Sequence, residues 1–106
     1  MRAVAVTTAT RSAALPNVPT VAESGVAGYD TAVWWGFLGP AGMPADIVAK
    51  IHADLVTALK DPVVLAALKK IDATPVGSSP ADFDKFMHAE ADKWGPVLKA
   101  ANIKVQ

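Results

Sequence analysis

Ala32-Val-Trp-Trp-Gly-Phe-Leu38 is an uncharged apolar run closed by Gly39-Pro40 and followed, from Pro44, by an amphipathic pattern. The run is too short for a typical helix, and its aromatic and aliphatic content suits a strand covered on both faces. Such a strand cannot stand alone: its backbone groups need neighbouring strands, and its two faces need helices or a second layer. A chain built around this run is therefore expected to be α/β, a small mixed sheet flanked by helices.

The rest of the sequence supplies parts for that architecture. Arg2 to Thr8 contains Ala-Val-Ala-Val, an apolar run without polar alternation that predicts a central strand. Pro16 and Pro19 keep Arg11 to Pro19 out of any helix interior. Thr20-Val-Ala-Glu23 matches a capping box, with Gly25 placed to stop a short helix. Pro44 suits a first helical position, and Ile47, Val48, Ile51, Leu55, Val56 and Leu59 predict a core-facing helix over Pro44 to Lys60. Asp61-Pro62 restarts the pattern with an N-cap and a proline at N1, and Val64, Leu65, Leu68 and Ile71 predict a second helix ending near Lys70. Ala73 to Val76 reads as a brief extended piece, which Pro75 makes either an edge strand or no strand at all.

Ser79-Pro-Ala-Asp82 is the clearest helix start: a capping serine, a proline at N1 and an acid at N3. Phe83, Phe86, Met87, Trp94, Val97 and Leu98 form the apolar stripe of the helix it opens, with Trp94 as its expected core anchor. Pro96 removes the bond to the carbonyl of Asp92 and predicts a kink or restart. The tail from Asn102 to Gln106 is expected to be weakly ordered. No internal repeat or linker divides residues 1–106, so a single domain is expected.

Composition adds a demand for company. The chain has 106 residues, 52% of them hydrophobic and 19% charged, with a mean hydropathy of +0.30. That is more apolar than a small self-sufficient domain needs, and some of the surface is expected to meet a partner. Ten basic and ten acidic residues cancel, which leaves no footprint for nucleic acid or an anionic membrane. The absence of cysteine removes disulfides, thiolate nucleophiles and cysteine metal sites. The apolar stretch at Met1 to Val6 is too short for a signal peptide, and no run approaches the roughly 20 residues of a membrane span.

Reactive side chains form no catalytic or metal-binding pattern. His88 and Asp92 have helical i, i+4 spacing, a common surface pair. His52 has no second histidine at ligand spacing, so no metal and no cofactor is expected. Ser12, Ser24, Ser78 and Ser79 lack a nucleophile elbow, and glycines 25, 28, 36, 39 and 42 form no nucleotide-binding loop. Trp34 and Trp35, adjacent on a strand, must point to opposite faces, so at most one is expected to be sheet core, and the other to pack beneath helices or line a cleft at the sheet's end. The helix N-termini at Thr20, Pro44 and Ser79 offer N–H groups of the kind that hold carboxylates.

Arg2-Ala-Val-Ala-Val-Thr-Thr8, Leu15-Pro-Asn-Val-Pro-Thr-Val-Ala-Glu-Ser-Gly25, Trp34-Trp-Gly-Phe-Leu-Gly-Pro-Ala-Gly-Met-Pro44, Pro75-Val-Gly77 and Lys93-Trp94 together resemble the C-terminal third of the tripartite tricarboxylate transporter receptors, the Bug-type periplasmic solute-binding proteins. The resemblance implies a segment of a two-lobed α/β receptor that captures small carboxylates or similar solutes for a membrane permease, without catalysis. It also implies that the anion is held largely by backbone groups and waters between loops of both lobes. Trp34 stands at the family's tryptophan, and with Val33 and Trp35 it is the expected ligand-binding contribution of this segment. Met43 stands where such receptors commonly have threonine, which implies a lost helix cap, and Pro96 falls inside the family's last helix. The other reading the residues allow is a free-standing α/β module that forms a homodimer and has lost ligand binding. An enzymatic reading rests only on His88, Asp92 and the carboxylates, with no nucleophile, metal or oxyanion arrangement beside them.

Overall fold

Helices form where proline and capping signals start them. The computed structural model describes residues 2–103, and among these the helices are α1 (Ala45–Ala58), α2 (Pro62–Lys70) and α3 (Pro80–Ala100). At the start of α3 the structure matches the sequence signals. Ser79 is the N-cap with extended backbone, its Oγ accepts from the Asp82 N–H at 3.1 Å, and Pro80 follows at the first helical position. Pro62 opens α2 in the same way.

Elsewhere the local geometry departs from expectation. Pro44 is the N-cap of α1 rather than its first helical residue, with ψ 137° and no side-chain cap. Met43 therefore lies one residue outside the cap, and a side chain there is not at the capping position. Its thioether instead folds over Gly39, where an added Cβ would run into it. At Pro96 there is no restart: α3 continues to Ala100, because a single missing N–H leaves the flanking hydrogen bonds to carry the helix.

Helices α2 and α3 end in the same motif, which the sequence hides by using no glycine. After α2, the Asp72 N–H bonds to the Lys69 carbonyl at 3.2 Å and the Ala73 N–H to that of Leu68 at 3.0 Å; Asp72 has φ 55°. After α3, Asn102 bonds to Lys99 at 3.1 Å and Ile103 to Leu98 at 3.0 Å, with Asn102 at φ 54°. Both are Schellman ends, with a left-handed residue that is normally glycine. Asn102 and Ile103 are thus tied to α3, while the rest of the tail expected to be weakly ordered lies outside the described residues.

The expected sheet is not seen among the described residues, whose sole β pairing is one parallel bridge between Val6 and Thr20. Among these residues neither 32–38 nor 73–76 takes part in a β ladder, and for 73–76 this is the second of the two outcomes that Pro75 allows. The physical reason is the one the sequence announced: a strand buried on both faces requires neighbours on both edges, and the described residues contain none. The short helix expected after Thr20 is a single turn over 21–25, closed by Ser24 N–H to the Thr20 carbonyl at 3.1 Å and stopped by Gly25 at φ 111°.

Residues gather into two units, Met1–Met43 with Pro62–Thr74, and Pro44–Asp61 with Pro75–Gln106. In the first, the Val6–Thr20 bridge carries two bonds, Val6 N–H to Pro19 O and Val21 N–H to Val6 O, each 2.9 Å. Ser12 Oγ donates to Asp72 Oδ2 at 2.5 Å and ties the end of α2 to the loop before Thr20. In the second, His52 Nε2 lies 3.1 Å from the Ser78 carbonyl, and Gly77, at φ 61°, sits against Leu59 and Val56. No apolar side chain among the described residues is buried; Thr20, 1% exposed, is the buried residue.

Candidate functional site

The tryptophan run is aimed by two hydrogen bonds at its start. The Ala9 N–H donates to Asp30 Oδ1 at 3.0 Å, and the Thr31 N–H donates to the Thr7 carbonyl at 2.9 Å. These join the loop that follows Val6 to the residues that open the run. Both come from the carboxyl side of the 2–6 segment, the side on which ligands of open α/β sheets are bound.

From Thr31 the chain enters Val33, Trp34 and Trp35, the three residues expected to face solute. Val33 is 79% exposed, Trp35 73% and Trp34 42%. Trp34 is the more covered of the two tryptophans. Phe37 and Leu38 continue the exposed apolar surface at 80% and 75%. Neither tryptophan is buried among the described residues.

The first unit has an open cleft of about 600 Å³ lined by Arg2, Ala3, Val4, Asn17, Val18 and Pro19, before the Val6–Thr20 bridge in each segment. Val33, Trp34 and Trp35 do not line it.

The segment between cleft and run is held by a polar knot. Thr20 Oγ1 accepts from the Glu23 N–H at 3.0 Å, and Glu23 Oε2 accepts from the Thr20 N–H at 2.8 Å, the reciprocal capping box that the spacing predicts. Arg11 Nε donates to both Glu23 carboxylate oxygens, at 2.9 and 3.2 Å, and its Nη1 donates to the Pro16 carbonyl at 3.3 Å. The bond from the Thr20 backbone, then the Arg11 side chain, hold the Glu23 carboxyl below its usual range. Sequence reasoning found the Thr20–Glu23 half and missed Arg11. Its signal was a lone arginine ahead of two prolines that fold the loop back on the box.

His88 takes a different partner from the one its spacing suggested. Its Nδ1 is 2.9 Å from the Asp84 carbonyl and 3.7 Å from Asp84 Oδ2, so Asp84, one turn earlier, replaces Asp92. The Asp84 backbone contact and then its charge raise the His88 pKa, with Asp92 contributing a smaller pull. The reason is rotameric: helical side chains lean toward the N-terminus, which brings residue 88 over residue 84. Trp94, expected as a buried anchor, is half-buried; its Nε1 donates to Glu90 at 3.0 Å and the Lys93 ammonium lies 5.5 Å from its ring. No group of histidines and carboxylates capable of holding a metal occurs among the described residues, and none of their helices is long and apolar enough to cross a membrane.

Known proteins match this chain over nearly its whole length. A 39% identical protein, R. palustris Rpa4515 with adipate, superposes with a TM-score of 0.76 over 92% of this chain and 33% of its own. The periplasmic binding protein BugD is 29% identical, with a TM-score of 0.79 over 96% of this chain and 35% of its own. A UPF0065 protein from the ttuE-ttuC' intergenic region of Agrobacterium vitis is 36% identical over 95% of this chain and 30% of its own length. Protein BugT of Bordetella pertussis is 28% identical over 100% of this chain and 32% of its own. The chain thus spans about a third of the length of these relatives. The structural neighbours are compatible with an α/β fold, although the sheet itself is absent from the described residues. The family model for the tripartite tricarboxylate transporter receptor matches residues 1–103, and with the capping knot and tryptophan run in place the chain belongs to that receptor family.

Proposed function

We propose that residues 1–106 act as one domain-sized C-terminal segment of a two-lobed, non-catalytic solute-binding receptor. Its solute is a small carboxylate, its compartment the periplasm, and its downstream partner a membrane permease of the tripartite tricarboxylate type. The observation that carries this is the likeness to Rpa4515 with adipate, at 39% identity over 92% of this chain. Trp34, with Val33 and Trp35 beside it, is the segment's contribution to the solute cleft. On its own, the chain takes a second copy of itself as partner.

A third of a clamp holds its solute poorly. A helix N-terminus offers a carboxylate about 0.3–1 kcal/mol at an exposed site, whereas millimolar affinity needs about 4 kcal/mol. Calorimetry with adipate and a panel of di- and tricarboxylates is therefore expected to give dissociation constants weaker than millimolar for the isolated chain. The same residues, grafted in place of the last third of BugT, are expected to give a receptor that binds a carboxylate at least a hundredfold more tightly, and Trp34→Ala in the graft to weaken it. A folded graft that binds no member of the panel would defeat the receptor reading. Micromolar binding by the isolated chain would defeat the view that it holds only part of a pocket.

A further inference from the structure

We infer that Asp30 is a positioning residue for the solute cleft: its carboxylate takes the place of a ladder carbonyl, and so fixes where the chain leaves segment 6–9 and which way Trp34 is presented. The cleft in this inference rests on the receptor reading, whereas the positioning rests on hydrogen-bond geometry alone. Segment 6–9 is bonded on both sides. Val6 points one way, its N–H donating to the Pro19 carbonyl and its carbonyl accepting from the Val21 N–H, each at 2.9 Å. These two bonds make the parallel bridge to Thr20. Successive residues of an extended chain bond to opposite sides, and the Thr7 carbonyl accordingly accepts from the Thr31 N–H at 2.9 Å. A second parallel rung built like the first needs the Ala9 N–H on the Thr31 carbonyl. Ala9 instead donates to Asp30 Oδ1 at 3.0 Å. The side chain of one residue thus stands in for the backbone of the next, and pairing with 6–9 stops after half a rung.

Both partners of that bond are delivered locally. Thr8 Oγ1 donates to the Thr10 carbonyl at 2.7 Å and curls the loop around Ala9. A turn closed by the Tyr29 N–H on the Val26 carbonyl at 3.1 Å, with Gly28 at φ 76°, brings Asp30 to it. One hydrogen bond is a pivot about which a chain can swing, whereas two between the same segments set its direction. Trp34 follows four residues on, so its Cα lies within about 14 Å of that of Asp30 even in a fully extended chain, and a swing at Asp30 carries Trp34 with it. A site whose residues are held loosely binds weakly because binding must then order them. Loss of the Asp30 bond is therefore read as lost direction of the run and lost affinity, with the fold intact.

Residual dipolar couplings of the 106-residue chain measure the orientation of the Val33, Trp34 and Trp35 N–H vectors against the bonded amides of Val6, Val21 and Ser24. Asp30→Ala is expected to reduce the couplings of the run to about half or less while those of the bonded amides persist, as for a segment released from a stable frame. Asp30→Asn keeps an Oδ1 acceptor and is expected to leave both sets unchanged. In the graft onto BugT, Asp30→Ala is expected to weaken carboxylate binding about tenfold or more, and Asp30→Asn to stay within about twofold, as lost preorganisation requires. Should Asp30→Ala lose its helices by circular dichroism, Ala9→Pro, which removes the donor instead, takes its place in both measurements; loss of the helices in both variants would make the bond one that holds the whole fold and would overturn the inference. Unchanged couplings in Asp30→Ala, an asparagine variant as disordered as the alanine one, or unchanged affinity in the Asp30→Ala graft would overturn it as well. A graft that binds nothing, or is indifferent to Trp34→Ala, defeats the receptor reading and takes the cleft role with it, while the couplings still decide whether Asp30 aims the run.

Discussion

The segment from Val6 to Thr31 and the run from Ala32 to Leu38 are adjacent in sequence and opposite in character. The first is polar, poor in large apolar side chains, and tied by the Val6–Thr20 bridge, the capping box, the Arg11 fork and the bonds at Asp30 and Thr31. The second holds the chain's densest apolar surface and leaves most of it in solvent. The difference teaches that the locally encoded part of this fold is complete in itself. Hydrogen bonds between residues close in sequence close small loops at low entropic cost, whereas an apolar strand yields its stabilisation only when another surface removes it from water. The more strongly a segment promises burial, the more its structure depends on something beyond its neighbours.

Amide exchange puts that contrast to its largest test. At concentrations where the chain is monomeric, the N–H groups of Val6, Val21 and Ser24, all bonded within the knot, are expected to exchange at least about a hundredfold more slowly than those of Val33, Trp35 and Phe37, as local stability differs between bonded and solvated backbone. Raising the concentration should slow the run and leave the knot unchanged. Equal rates in both segments at low concentration would erase the distinction.

A smaller effect is expected from removing the knot's central hydroxyl. Thr20→Val keeps the shape and deletes the cap to Glu23, and a lost N-cap costs about 0.5–2 kcal/mol; Thr20 lies at the upper end because it is buried. Trp35→Ser in the run is expected to change monomer stability by less than about 0.5 kcal/mol, as for other exposed positions. Denaturant midpoints compare the two directly. The knot also has a pH signature. Because the folded state lowers the Glu23 pKa from 4.5, its stabilisation is whole above that value and is lost as pH falls through the lower folded value. His88 runs the other way: its pKa is raised from 6.5, so its contribution is whole below that value and fades as pH rises through the folded one.

What the sequence disclosed follows the same division. The start of α3 at Ser79-Pro80, the start of α2 at Pro62, the capping box at Thr20 and the stop at Gly25 were legible because each is fixed by residues within a few positions of one another. The sheet was not, because pairing partners for 32–38 are absent from the described residues, and alternation of side chains says nothing about who supplies them. For the candidate site, the capping box beside the run was readable from the Thr20–Glu23 spacing. The Arg11 fork, formed across a proline-turned loop, and the Asp84 partner of His88, set by side-chain lean, required coordinates. The two Schellman ends escaped notice because aspartate and asparagine stand where glycine would have advertised them.

Those two ends give the smallest test, and a comparison inside the comparison. Asp72 and Asn102 have nearly the same left-handed backbone, φ 55° and 54°, a conformation that glycine adopts without the Cβ penalty. Asp72 also accepts the Ser12 hydroxyl across 60 positions of sequence, so its side chain belongs to the knot's reach, whereas Asn102 serves only its own helix. Asn102→Gly is therefore expected to be neutral or to stabilise α3 by a few tenths of a kcal/mol, the scale of relieved left-handed strain set against added unfolded-state freedom. Asp72→Gly gains the same relief and loses a charge-assisted hydrogen bond, a loss of about 1.5 kcal/mol, and is expected to be net destabilising. Thermal unfolding of the two variants reads the sign. If Asp72→Gly proved as benign as Asn102→Gly, the Ser12 bond would contribute nothing, and the knot would end at the Arg11 fork instead of extending to α2.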